Sequence, residues 1–181
     1  MRIIAGEMRG RRIKAVSGMD TRPTADKVKG AIFNVLREKV VDAKVLDLFA
    51  GTGNLAIEAL SRGAREVILV EKAYSARKVI QENLENIGQE QVQLLGMDAF
   101  EYLKQYSDQL FDLIFLDPPY RRGLVDKALS LLSQPCWLTR SGVIVAETAS
   151  DESLRVLEPF EIRKTSEYGD TRIWYIQRCV E

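Results

Sequence analysis

Between residues 44 and 147, five short apolar runs alternate with amphipathic stretches of helical period, and this alternation leaves few architectures open to the chain. The runs fall at 44–49, 66–70, 92–95, 111–116 and 143–146. Between them lie helical patterns at 55–62 and 74–87, a shorter one carrying Phe100 and Leu103, and another at 124–132. Gly63 and Gly88 follow the first two as C-terminal caps. Such repetition calls for a parallel sheet with helices on both faces. The run 111–116 is apolar at five of six positions, as suits a strand covered on both sides. Beyond residue 147 the pattern changes to a β-hairpin, 160–164 with 172–178, joined through Tyr168-Gly169-Asp170. The expected fold is α/β, mostly parallel, with an antiparallel C-terminal hairpin. Residues 1–181 read as one domain, with 1–40 a basic extension of hairpin and helix and 41–181 the core.

A chain of 181 residues, 46% hydrophobic and 29% charged, has the balance of one globular domain with a substantial core. Its formal charge is zero but unevenly spread. Residues 1–30 hold eight Arg and Lys against three Asp and Glu, a net of +5 that leaves −5 for the remainder. The two cysteines, Cys136 and Cys179, have neither metal-ligand spacing nor the density of a disulfide scaffold. With no long apolar run and no signal peptide, a cytoplasmic protein without membrane contact is expected. Histidine is absent, so neither a Ser-His or Cys-His pair nor a histidine-ligated zinc can be built, and no metal is expected.

Parallel sheets bind ligands at the carboxyl ends of their strands, and the unusual polar residues of this chain collect there: Asp47, Glu71, Asp98 and Asp117. Residues 51–56, Gly-Thr-Gly-Asn-Leu-Ala, fit the fingerprint G-x-G-x-x-G/A, with Glu71 some 20 residues on to hold a ribose. NAD and S-adenosylmethionine share these needs but differ in charge. A pyrophosphate avoids carboxylates, whereas an ammonium and a sulfonium seek them, so Asp47 favours S-adenosylmethionine. Asp98 could accept from the adenine amino group. Plainer roles stand beside these: Asp47 bracing the glycine loop, Glu71 pairing with Lys72, Asp98 capping the helix after it.

At residues 117–120, Asp-Pro-Pro-Tyr ends the strand 111–116 in a carboxylate, a stiffened backbone and an aromatic ring. Asp117 and the Pro118 carbonyl offer two acceptors to an exocyclic amine, with Tyr120 as a stacking surface. Pro119 stiffens the turn between them. Near the N-terminus, Arg2, Arg9, Arg11, Arg12 and Lys14 surround Gly6 and Gly10 in an expected hairpin, either a solvated edge or a phosphate-binding face. A helix with Val28, Ala31, Ile32, Val35 and Leu36 on one side follows, with Thr24 as its N-cap and Lys27 and Lys29 on its basic side. Arg121 and Arg122 are candidates for flanking phosphates, or plain surface residues. Trp137 and Trp174 are expected to serve packing.

Asp-Leu-Phe-Ala-Gly-Thr-Gly at 47–53 together with Asp-Pro-Pro-Tyr resembles class I S-adenosylmethionine-dependent methyltransferases acting on amino groups. Arg9-Gly10-Arg11, Arg22-Pro23-Thr24 with Phe33-Asn34, and Asp-Pro-Pro-Tyr-Arg-Arg-Gly at 117–123 narrow the resemblance, nearly end to end, to the RsmD-type methyltransferases. That resemblance implies a Rossmann-like fold and methylation of guanine N2 in small-subunit (16S) ribosomal RNA, naked or within an assembled subunit. It implies cofactor contacts at Asp47, Phe49, Gly51, Gly53, Glu71 and Asp98, with Arg22 and Thr24 close by, and a catalytic loop of Asp117, Pro118, Pro119 and Tyr120. Arg9, Arg11, Arg12, Lys14, Arg121 and Arg122 are the expected RNA contacts. Adenine-N6 methyltransferases carry the same Asp-Pro-Pro-Tyr, so the motif leaves the base open. An NAD-dependent oxidoreductase rests on the glycine fingerprint alone and has no use for residues 117–120.

Overall fold

A computed structural model of the chain describes residues 1–16, 24–89, 92–106, 108–134 and 137–179. Among the expected positions, Arg22 and Cys136 lie outside the described residues, as does the side chain of Thr24, the residue that opens the first helix. The elements in chain order are α1 (Thr24–Leu36), a 3-10 turn (Arg37–Val40), β1 (Lys44–Asp47), α2 (Asn54–Ser61), β2 (Glu66–Val70) and α3 (Tyr74–Ile87). Then come β3 (Val92–Leu95), α4 (Ala99–Gln105), β4 (Phe111–Leu116), α5 (Leu124–Ser133), β5 (Leu138–Ala149), β6 (Phe160–Tyr168) and β7 (Thr171–Arg178). Gly63 and Gly88 end α2 and α3 as expected. In each case the glycine has positive φ and the residue after it donates its N–H back to the helix, Ala64 to Ala59 and Gln89 to Leu84.

The seven strands form one sheet in the order β3-β2-β1-β4-β5-β7-β6. β1 to β5 are parallel, while β7 runs antiparallel to both β5 and β6. The chain winds outward from β1 to β3, then returns to place β4 on the other side of β1. A crevice opens above the carboxyl ends of such a pair. Side-chain alternation divides the core into two layers. Val45, Leu113, Phe115 and Val143 face α1, α2 and α3, whereas Leu46, Ile114, Leu116 and Ile144 face α4 and α5. Trp137, fully buried in the second layer, stacks on Phe111 at 6.2 Å between ring centroids. Trp174 is buried there too, its indole N–H donating to Thr148 Oγ1 at 2.9 Å. Among the described residues no helix is long and apolar enough to cross a membrane.

The structure differs from the sequence pattern in its C-terminal strands, its N-terminal segment and Lys29. β5 spans twelve residues rather than 143–146, because Leu138 pairs with Phe111 of β4 and the polar end, Glu147 to Ala149, pairs with Ile173 to Thr171 of β7; β6 likewise runs to Tyr168 rather than 164. The basic N-terminal hairpin is reduced to a single bridge, Arg2 to Arg12, beside main-chain bonds between Ile3 and Arg11 and between Ile13 and Met1. It is docked rather than appended: Ile3, Met8 and Ile13 are buried, and Ser61 Oγ accepts from the Met8 N–H while donating to the Ala5 carbonyl. Lys29 is not on a solvated basic side. It is 1% exposed and paired with Glu58 of α2 at 3.2 Å, because the docked segment covers that part of α1.

Candidate active site

β1 and β4 pair with Asp47 opposite Phe115, so Asp47 and Asp117 end neighbouring strands at the point where the strand order reverses. The loop after β1 is shaped by Gly51 and Gly53, at φ +56° and +75°, and closed by Gly53 N–H donating to the Ala50 carbonyl at 2.7 Å. A Cβ on Gly51 would meet nothing within 4 Å, so the backbone there faces open space; one on Gly53 would press on Leu69 at 3.3 Å. The first glycine leaves room for a ligand, and the second lets α2 pack on the sheet.

Asp47 is buried, and its Oδ1 has no hydrogen-bond partner. Burial pushes its pKa up to about 7, with the Glu71 carboxylate adding to the shift and the backbone N–H groups of Ala56 and Phe49 opposing it. An orphaned acceptor in such a place fits a cationic ligand group. Glu71 does not pair with Lys72. One of its oxygens accepts from Gly51 N–H at 2.9 Å and the other from Ala73 N–H at 2.8 Å, which ties the end of β2 to the glycine loop. Each oxygen keeps a second lone pair for a hydroxyl donor. Asp98 caps α4, its Oδ1 accepting from Phe100 N–H at 2.9 Å, while Oδ2 lies 3.6 Å from Lys72 Nζ. Phe49 meets the edge of Phe100 at 6.0 Å, forming an apolar wall between the glycine loop and that cap.

Pro118, Pro119 and Tyr120 line a small cleft together with Gly123, Leu124 and Glu147. Asp117 follows β4 and is exposed. The protein around its carboxyl raises the pKa well above the ordinary carboxylate range, and the charges of Glu147 and Asp47 raise it further. Tyr120 donates its hydroxyl to Glu147 Oε1, and the Tyr120 hydroxyl oxygen also lies 3.1 Å from Thr171 Oγ1. Neither Glu147 nor Thr171 stood out in the sequence as a site residue. In the sequence Glu147 follows an apolar run as the other carboxylates do, but nothing local links Thr171 to a residue 51 positions earlier.

The expected RNA contacts fall into two groups. Arg9, Arg11 and Arg12 are exposed on the docked N-terminal segment, while Lys14 pairs with Glu82 at 2.8 Å. Arg122 is exposed on the loop after β4. Arg121 there is exposed too, its guanidinium reaching Asp151 at 3.0 and 3.3 Å and its backbone N–H reaching Glu152 at 2.9 Å. Among the described residues no three Cys, Asp or Glu side chains group as a metal site would require.

Residues 1–177 match the family described as conserved hypothetical protein 95. The ribosomal RNA small subunit methyltransferase D of Haemophilus influenzae is 36% identical over 172 residues, covering 93% of this chain and 89% of that protein. A putative rRNA methyltransferase of Bacillus subtilis, YlbH, is 41% identical over 150 residues, 81% of this chain and 82% of its own. Among solved structures, the putative methyltransferase yhhF from Escherichia coli superposes with a TM-score of 0.90 at 32% identity, covering 98% of this chain and 97% of that one.

Proposed function

The chain belongs to the conserved hypothetical protein 95 family, the RsmD-type methyltransferases, and from that membership we propose that it methylates ribosomal RNA with S-adenosylmethionine as donor. We assign the acceptor as the exocyclic N2 amine of a guanine in the small-subunit RNA. The observation that carries the reading is the acidic corner at the β1–β4 switch point, where buried Asp47 with its orphaned oxygen adjoins Asp117 across neighbouring strands.

The residues fit the donor's chemistry. Asp47 would face its ammonium, Glu71 its ribose hydroxyls and Asp98 its adenine amino group, with Gly51 and Gly53 admitting it to the backbone and Phe49 flanking it. When bound, S-adenosylmethionine supplies an electrophilic methyl on a sulfonium. An amine conjugated to a purine ring is a weak nucleophile because its lone pair is delocalised. The Asp117 carboxylate and the Pro118 carbonyl, accepting its two N–H bonds, favour a pyramidal nitrogen and aim the lone pair. Asp117 then takes the released proton, a role its raised pKa suits. Tyr120 stacks on the base, which has to leave its helix or arrive unstacked. Exposed Arg9, Arg11, Arg12 and Arg122 hold phosphates.

Incubation with total ribosomal RNA and with small subunits, followed by mass mapping of the methylated nucleoside, tests the assignment. N2-methylguanosine is expected. N6-methyladenosine would move the chain to adenine chemistry, and no methylated nucleoside would reject the reading. Asp117→Ala is expected to abolish transfer while leaving S-adenosylhomocysteine binding within a few fold; equal loss of both would make Asp117 a structural residue.

A further inference from the structure

Tyr120 is held at its far end by two residues from elements distant in sequence. Its hydroxyl donates to Glu147 Oε1, near the end of β5, and lies 3.1 Å from Thr171 Oγ1, the first residue of β7. Both partners sit in the β5–β7 ladder, Glu147 opposite Ile173. Thr171 is buried and opposite Ala149 across the β5–β7 ladder, and it closes the β6–β7 hairpin opposite Tyr168. That hairpin turns in two residues, Gly169 and Asp170, with Gly169 at φ +59°, a conformation that a side chain would strain. The Asp170 carbonyl accepts from Ser150 N–H at 2.9 Å, which pins the tip of the turn to the end of β5.

The next residue of the loop is secured separately. Glu152 accepts from Arg121 N–H through one oxygen and from Ala149 N–H through the other, each at 2.9 Å, and Asp151 takes the Arg121 guanidinium. The ring of Tyr120 is thus anchored at its tip while the backbone beside it is anchored at Arg121. Two prolines hold the other side.

We propose that Glu147 and Thr171 are positioning residues that fix the plane of the Tyr120 ring for the target base, and that the Tyr168-Gly169-Asp170 turn serves to bring Thr171 to that hydroxyl. The inference rests on the methyl-transfer reading above and adds to it a role for the C-terminal hairpin. The hydroxyl oxygen lies on the Cβ–Cγ axis, so tethering it stops the ring swinging about Cα–Cβ; because a phenol O–H and lone pair lie in the ring plane by conjugation, a carboxylate and a second hydroxyl bound there also favour one ring plane before the base arrives. Pre-orientation of this kind contributes to turnover rather than to cofactor affinity, because the tether touches neither the glycine loop nor Asp98. The hydroxyl is then not a proton donor in the reaction. Ring and tether make separable contributions: Tyr120→Phe keeps the stacking surface and loses only the tether.

The test combines kinetics with a signal that needs no substrate. In the ligand-free full chain, the Tyr120 hydroxyl proton is expected as a slowly exchanging downfield NMR resonance, absent in Tyr120→Phe and shifted in Glu147→Gln and Thr171→Val. With RNA and S-adenosylmethionine, Tyr120→Phe, Glu147→Gln and Thr171→Val each lower kcat about tenfold or more with S-adenosylhomocysteine affinity unchanged, and Thr171→Ser restores it. The double variant Tyr120→Phe/Thr171→Val is no worse than the poorer single one, because both remove the same contact. Fully additive losses, wild-type kcat in Tyr120→Phe, or no hydroxyl resonance would each overturn the proposal. A resonance together with wild-type protein that methylates no RNA would instead reject the methyl-transfer reading, and with it the positioning role, while the tether stood as a contact of the fold.

Discussion

Lys29 Nζ and Glu58 Oε2 lie 3.2 Å apart with both side chains buried, and each serves further partners. The ammonium also donates to the Arg2 carbonyl and to Asn54 Oδ1, both at 2.7 Å, and the carboxylate accepts from the N–H groups of Ile4 and Ala5 and from Arg62 Nε. One ion pair therefore joins α1, the N-terminal segment and the first turn of α2. Burial lowers the Lys29 pKa and the Glu58 charge raises it again. Glu58→Ala leaves that ammonium buried without its counter-charge and is expected to cost about 3–5 kcal/mol in urea unfolding, with faster proteolysis within the first 16 residues. A loss under about 1 kcal/mol, the worth of an exposed pair, would mean the network does not hold the segment.

Gly6 and Gly10 share the left-handed region, at φ +86° and +85°, but not their surroundings. A Cβ on Gly6 would fall 1.7 Å from the Ser61 carbonyl oxygen, whereas one on Gly10 meets nothing within 4 Å. Gly10→Ala is expected to cost about 1–2 kcal/mol, the strain of a left-handed alanine. Gly6→Ala must also undock the segment from α2. It is expected to lose several times as much, together with the slow amide exchange of Met8, whose N–H donates to Ser61 Oγ. Equal losses would show that the docking contributes nothing.

Asp47 gives stability and ligand binding opposite pH dependence. Its folded pKa of about 7 lies above the unfolded value, so its contribution is fully present below about pH 4 and is lost as pH rises through 7. Asp47→Asn should therefore be the more stable protein without ligand at pH 8, with the difference shrinking towards pH 5. An ammonium needs the ionised form. Calorimetric affinity of the wild type for S-adenosylhomocysteine is expected to rise roughly tenfold from pH 6 to pH 8, following the deprotonated fraction, and to stay flat in Asp47→Asn. A parallel rise in both proteins would remove Asp47 from the ligand's ammonium.

Arg9, Arg11 and Arg12 stand exposed on a segment whose apolar side is buried, so replacing them with Gln leaves the docking contacts in place. If they meet phosphates, RNA affinity falls and the slope of log K against log salt flattens by up to about 2 for a single-stranded target, at ~0.7 per phosphate contact. An unchanged slope would take this face out of the RNA site.

Periodicity and turn chemistry in the sequence determined the layered α/β architecture, the carboxyl-end placement of Asp47, Glu71, Asp98 and Asp117, and the glycine caps of α2 and α3. These are local matters: a run of apolar residues, a glycine at positive φ or a proline pair carries the same meaning wherever the chain goes. The length of β5 was not legible, because Leu138 is strand through Phe111 of β4 and Glu147 to Ala149 only through a partner that arrives in β7. Nor was the burial of Lys29, a lysine that periodicity alone places on a solvated face and that Glu58, 29 residues later, draws inside. The same holds for the hold on Tyr120. Asp-Pro-Pro-Tyr announces a stiff loop beside a carboxylate, but where the ring is held depends on Glu147 and Thr171. Contacts across 27 and 51 residues of chain exist only once the sheet has brought its strands together.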